Sequence, residues 1–158
     1  MAEHLNISSG VSKDAQYQSL IPQLESLVAG EEDLVANMAN VSAALMTIFK
    51  HLWIGFYIVK GDELVLGPFQ GPIACTRIQK GKGVCGAAWE REQSLVVSDV
   101  DDFPGHIACS TQSKSEIVVP IKNAQGEVIG VLDIDSSELD TFDEIDQKYL
   151  ERLVSSFS

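Results

Sequence analysis

Glu116-Ile117-Val118-Val119-Pro120-Ile121-Lys122, then Asn123-Ala124-Gln125-Gly126, then Glu127-Val128-Ile129-Gly130-Val131-Leu132-Asp133-Ile134-Asp135 is the stretch that decides the fold. Two runs rich in β-branched residues flank a short polar turn ending in glycine, so they read as neighbouring antiparallel strands. Upstream, residues 53–59 and 63–67 repeat the pattern around the turn Lys60-Gly61-Asp62. Gly67-Pro68-Phe69-Gln70-Gly71-Pro72 reads as a loop, and residues 73–79 and 95–98 as short strands, with Ile73 and Cys75 on one face. Residues 99–115 form a long loop.

Outside the strands the period changes. Tyr17, Leu20, Ile21, Leu24, Leu27 and Val28 recur at spacings of three and four, which predicts a helix from Asp14 to Gly30. Pro22 is expected to kink or bound it. A second helix is predicted over 32–49, with its apolar stripe from Leu34 to Phe49 packed in the core. Residues 81–86 predict a glycine turn into a short helix over 87–91. Thr141-Phe142-Asp143-Glu144 reads as a capping box, Thr141 as N-cap and Glu144 at N3, opening a last helix. Residues 1–13 are polar and predict a flexible arm; 14–158 predict one domain. Helices, then strands, then a helix imply an α+β fold, a central antiparallel sheet with helices packed on one face.

The 158 residues are 45% apolar and 22% charged, which suits one ordinary soluble domain with a sizeable core. A formal charge of -12 argues against nucleic acid and against an anionic membrane surface, while a small cationic or zwitterionic ligand remains compatible. No apolar run reaches the roughly 18 residues of a membrane span. No basic-then-apolar leader is visible after Met1, so the expected compartment is the reducing cytoplasm. In such a compartment a disulfide is transient and catalytic rather than structural.

Three cysteines, Cys75, Cys85 and Cys109, fall within 35 consecutive positions. Their separations of 10 and 24 fit no zinc-ligand pair, although His106 could make a fourth ligand. They are either buried and inert or reactive, and the loop position of Cys109 favours reactivity. Asp133 and Asp135, two apart in a strand, project from one face, which is either wet or the lining of a polar pocket. Glu116 opens the neighbouring strand and is expected close to them. Such carboxylates would suit an amine, and one with a raised pKa could act as a general acid. Trp53 and Tyr57 share a face, as core or as an aromatic wall for a small ligand. Gly81-Lys82-Gly83-Val84-Cys85-Gly86 spells G-x-G-x-x-G, but lacks the βαβ context of a dinucleotide site.

Gly67-Pro68-Phe69-Gln70-Gly71, Ala74-Cys75, Gly81 to Gly86, Phe103-Pro104-Gly105-His106-Ile107-Ala108-Cys109, Ser115-Glu116-Ile117-Val118 and Gly130 to Ser136 together resemble the free methionine-(R)-sulfoxide reductases, single GAF-domain enzymes. The resemblance runs from about Tyr17 onward. It implies a GAF fold with a loop-enclosed pocket opposite the helices. It implies free methionine sulfoxide as substrate, no cofactor and no metal. Cys109 would be the catalytic thiol, Cys75 the favoured resolving thiol and Cys85 the other candidate for that role. Glu116, Asp133 and Asp135 would hold the ammonium and supply a proton; Trp53 and Tyr57 would wall the S-methyl end. Thioredoxin or a similar dithiol would recycle the enzyme, and a homodimer is the expected assembly. The competing expectation is a non-catalytic GAF sensor of a small ligand or of redox state.

Overall fold

A computed structural model of the protein describes residues 4–6, 10–106, 109 and 111–157. Six strands, β1 (Trp53–Lys60), β2 (Glu63–Gln70), β3 (Arg77–Gln79), β4 (Leu95–Val97), β5 (Ser115–Lys122) and β6 (Val128–Ser136), form one sheet in the order β3-β2-β1-β6-β5-β4. Every neighbouring pair is antiparallel. The deciding hairpin is therefore β5–β6, and it lies beside β1 at the centre of the sheet.

The two-residue period of the strands sorts side chains onto two faces. Ile54, Phe56, Ile117, Val119, Leu132 and Ile134 point to one face, where they are fully or nearly fully buried. Helices α1 (Lys13–Ala29), α2 (Leu34–Phe49) and α4 (Glu144–Val154) cover that face with Leu20, Ile21, Leu24, Met38, Val41, Leu45, Leu150 and Leu153. Each such side chain contributes roughly 1.5–3 kcal/mol by leaving water. The predicted helical face is thus present. The short α3 (Gly83–Arg91) lies across the other face, where Val84, Cys85, Ala88 and Trp89 pack with Tyr57, Val118 and Val131.

Five local expectations are corrected. Helix α1 is not bounded at Pro22 but continues through it, because buried Leu20, Ile21, Leu24 and Val28 hold both halves on the same core. The N-cap of α4 is Asp143 with Asp146 at N3, not Thr141 with Glu144. Asp146 is drawn into that role by partners remote in sequence: its carboxylate accepts from Tyr17 Oη at 2.6 Å and Lys13 Nζ at 2.7 Å. Thr141 Oγ1 donates instead to Ser136 Oγ. Strand β2 runs on to Gln70, because Gly55 leaves room for Phe69 to pair opposite it; a Cβ there would meet the Cβ of Phe69 and the ring of Trp53. Residues 73–76 are not a strand, and Ile73 is 91% exposed.

Helix α3 also starts earlier than expected, at Gly83 rather than residue 87. Gly83 has a φ of 62°, which favours glycine, and a side chain on Gly86 would strike the carbonyl oxygen of Gln79. The glycine motif therefore sharpens the entry into a helix. At the N-terminus, Leu5 packs against the helical core and the Asn6 backbone N–H donates to Gln23 Oε1. Residues 1–3 and 7–9 of the expected arm lie outside the described residues. Among the described residues no helix is long and apolar enough to cross a membrane.

Candidate active site

The face opposite the long helices carries a pocket. Strand register places its polar floor: Glu116 stands opposite Asp135, Asp135 opposite Trp53, and Asp133 opposite both Val118 and Gly55. The expectation that Glu116 meets the two aspartates is thereby met in the geometry. Glu116 is 5% exposed, Asp133 is 6%, and Asp135 is half-buried. Ser113 Oγ donates to Asp135 Oδ1 at 2.7 Å. From α3 above, Cys85 Sγ reaches Glu116 Oε2 at 4.0 Å.

Trp53 and Tyr57 form the wall, with ring centroids 5.9 Å apart, and Phe69 backs Trp53 at 5.2 Å. Both wall residues also hold the β2–β3 loop. Trp53 Nε1 donates to the Pro72 carbonyl at 3.1 Å, and Tyr57 Oη donates to the Cys75 carbonyl at 2.8 Å. That loop delivers Cys75 to Cys109, and the two form a disulfide with Cα atoms 5.5 Å apart. Cys85 is free and buried. Of the residues singled out from sequence, Trp53, Tyr57, Cys85, Cys109, Glu116, Asp133 and Asp135 line one pocket. Cys75 does not line it and meets it through its bond to Cys109. Ile107, Ala108 and Ser110, around Cys109, lie outside the described residues.

Three acids this close and this dry do not all ionise readily. Burial, then the charges of Asp133 and Asp135, push Glu116 well above the usual carboxylate range. Burial and the charge of Asp133 push Asp135 well up too, against the pull of Ser113. Burial raises Asp133, partly offset by contacts with Glu116, Cys85 and Asp135. Burial, helped by the carboxylates, also lifts the Cys85 thiol well above its ordinary value, so it stays protonated and poorly nucleophilic. The floor can therefore hold protons at neutral pH, and it is negative for any that are lost.

Sequence reasoning missed three parts of the pocket. Ser113 lies in the polar run after Cys109, with no periodic signal to mark it as a partner of Asp135. His106, which the sequence offers only as a metal ligand, lines the pocket near Asp133. The first turn of α3 brings Lys82, Gly83 and Val84 to the pocket edge, and its N-cap makes no side-chain hydrogen bond.

The family model of the GAF domain matches residues 28–158. The chain belongs to the GAF family. GAF domain-containing protein A of Dictyostelium discoideum is 60% identical to this GAF domain over 155 residues, 98% of this chain and 97% of that protein. The free methionine-R-sulfoxide reductase of Saccharomyces cerevisiae is 42% identical over 160 residues, 96% of this chain and 89% of the enzyme. The X-ray structure of the free methionine-R-sulfoxide reductase of Neisseria meningitidis, in complex with its substrate, superposes with a TM-score of 0.94 at 52% identity, covering 98% of this chain and 92% of that one. The resemblance read from the motifs is borne out: within the GAF family the chain falls in the group of these reductases.

Proposed function

We propose that the protein reduces free methionine-(R)-sulfoxide to methionine, with Cys109 as the attacking thiol. The observation that carries this reading is the placement of Cys109, bridged to Cys75, at a pocket floored by three buried or half-buried acids. The similarity to the yeast and Neisseria reductases supports the same reading.

The thiolate of Cys109 attacks the sulfoxide sulfur. Glu116, kept protonated by burial and by its acidic neighbours, gives its proton to the oxygen as negative charge builds there. The oxygen ends on Cys109 as a sulfenic acid, and methionine leaves. The Cys75 thiol then displaces that oxygen as water, and a disulfide forms. The Cys75–Cys109 pairing supports Cys75 over the buried, protonated Cys85 as the resolving thiol. A dithiol such as thioredoxin restores both thiols by exchange.

The substrate is a zwitterion, and the pocket offers a partner for each pole. Asp133 and Asp135 take the ammonium, and its charge makes their ionised forms cheaper. The open first turn of α3 supplies backbone N–H donors for the carboxylate. Trp53 and Tyr57 wall the S-methyl end.

The test is consumption of racemic free L-methionine sulfoxide with dithiothreitol as reductant, the epimers resolved, wild type beside Cys109→Ser. Wild type should consume the R half only, and the variant should lose at least ~1000-fold in rate, as expected when a nucleophile is removed. Wild-type protein that consumes neither epimer sinks the proposal and leaves a ligand-binding or redox-sensing GAF domain.

A further inference from the structure

We propose that Cys85, Glu116 and Asp133 form a binding site for a borderline-soft divalent cation, Zn²⁺ foremost. One ligand atom of each lies within 4.8 Å of the other two, and all three residues are buried. A second observation points to a ligand. Asp133, 6% exposed, has a buried Oδ1 with no hydrogen-bond partner among the described residues. A buried carboxylate oxygen without a partner is costly. A cation would supply it, and would also offset the repulsion among the acids.

The ligands stand on three separate elements, α3, β5 and β6, so the cluster is set by the fold rather than by a mobile loop. A thiolate with two carboxylates favours Zn²⁺ and Co²⁺ over Mg²⁺ and Ca²⁺, which prefer oxygen alone. His106 and Asp135 line the same pocket as the three ligands. Binding breaks the S–H bond of Cys85, forms a metal–sulfur bond and releases the thiol proton, with any carboxyl protons, to solvent. No electron moves. Cysteine spacing could not show this site, because it uses one cysteine and two acids from other strands.

Cys85 takes no part in the Cys75–Cys109 bridge, so the site exists in the oxidised protein. The site stands independently of the reductase reading. Its consequence rests on that reading: a cation on the pocket floor occupies the acids meant for the substrate and acts as a reversible inhibitor.

The experiment uses the full chain in its oxidised form, titrated with Co²⁺ and followed for thiolate-to-cobalt charge-transfer absorption. One equivalent should produce the band, and Zn²⁺ should displace it. Cys85→Ser should abolish it. Asp133→Asn, which keeps the thiol, should weaken binding at least ~10-fold. Absence of the band in oxidised wild type overturns the proposal, as does a band that survives in Cys85→Ser. If Cys85→Ser does not fold, Asp133→Asn decides, and unchanged affinity there overturns it. No turnover is measured, so failure of the reductase reading and failure of the cation site give different results.

Discussion

The sheet carries one buried acid cluster on each face, and the two are built on opposite terms. On the helical side, Asp146 is 1% exposed and fully partnered: Tyr17 Oη and Lys13 Nζ donate to its two oxygens, and the Asp143 N–H adds a third bond. On the pocket side, Asp133 is almost as buried, has an orphaned oxygen, and sits beside two more acids and a thiol. The first cluster ties α1 to α4. The second gains nothing for the fold from its proximity, since burial and like charges both raise the energy of its ionised form. A buried acid with every oxygen satisfied is part of the scaffold, whereas one left short of donors is held ready for a ligand.

This contrast can be broken first at Glu116. Glu116→Gln should slow sulfoxide reduction by ~10²–10⁴-fold, the range of a lost general acid. It should also raise Tm by ~2–4 °C, which corresponds to about 1 kcal/mol in a domain of this size. Steady-state assays beside a thermal melt check both. A drop in both quantities would mean that Glu116 supports the fold and that the pocket cluster is no different in kind from Asp146.

Asp146→Ala is the mirror experiment. It removes the N3 half of the α4 capping box and strands Lys13 and Tyr17, so denaturant unfolding should show a loss of ~3 kcal/mol or more. Activity below the melting transition should persist. A loss under about 1 kcal/mol would erase the distinction between the faces.

The faces should also titrate with opposite sign. His51, packed between Phe49 and Phe142 on the helical side, is lowered by burial from 6.5 to about 4. The unfolded chain takes that proton first, so stability falls as pH drops from about 6.5 towards 4. The pocket acids are raised, so their penalty is present at neutral pH and relieved as pH falls towards the ordinary carboxylate range. His51→Gln should therefore gain on wild type by about 3 kcal/mol between pH 7 and 4. Glu116→Gln should lose its advantage over the same interval. Urea melts across pH settle it, and parallel profiles would refute the sign difference.

The smallest effect is expected at Tyr57→Phe, which keeps the ring and deletes one hydrogen bond. It should cost about 1 kcal/mol in urea unfolding, and a cost near zero would mean that the bond to the Cys75 carbonyl holds nothing.

The parts of the molecule legible in sequence are those set by short periods. Alternation in β5 and β6 gave the face shared by Glu116, Asp133 and Asp135, and the same rule paired Trp53 with Tyr57. What failed was decided by distant partners. No local pattern shows that Tyr17 and Lys13, 129 and 133 residues away, would recruit Asp146 and move the cap of α4. Pro22 read as a breaker, and the core beneath it overrode that preference. Residues 73–76 look extended and apolar, yet they form no strand: the Thr76 carbonyl accepts from the Leu66 N–H of β2, and the Cys75 carbonyl is held by the Tyr57 hydroxyl. The orphaned Oδ1 of Asp133 is a property of assembled space, and composition has no trace of it.

That last loop has a consequence of its own. Between Gly71 and Cys75 the chain pairs with no strand, and its carbonyls at Pro72 and Cys75 hang from the indole N–H of Trp53 and the hydroxyl of Tyr57. The position of the Cys75 sulfur is thus inherited from two side chains whose rings shape the cavity. Any mutation that retunes the cavity wall also resets the reach of the loop towards Cys109, so the lineage cannot adjust what the pocket admits without adjusting how the cysteines meet.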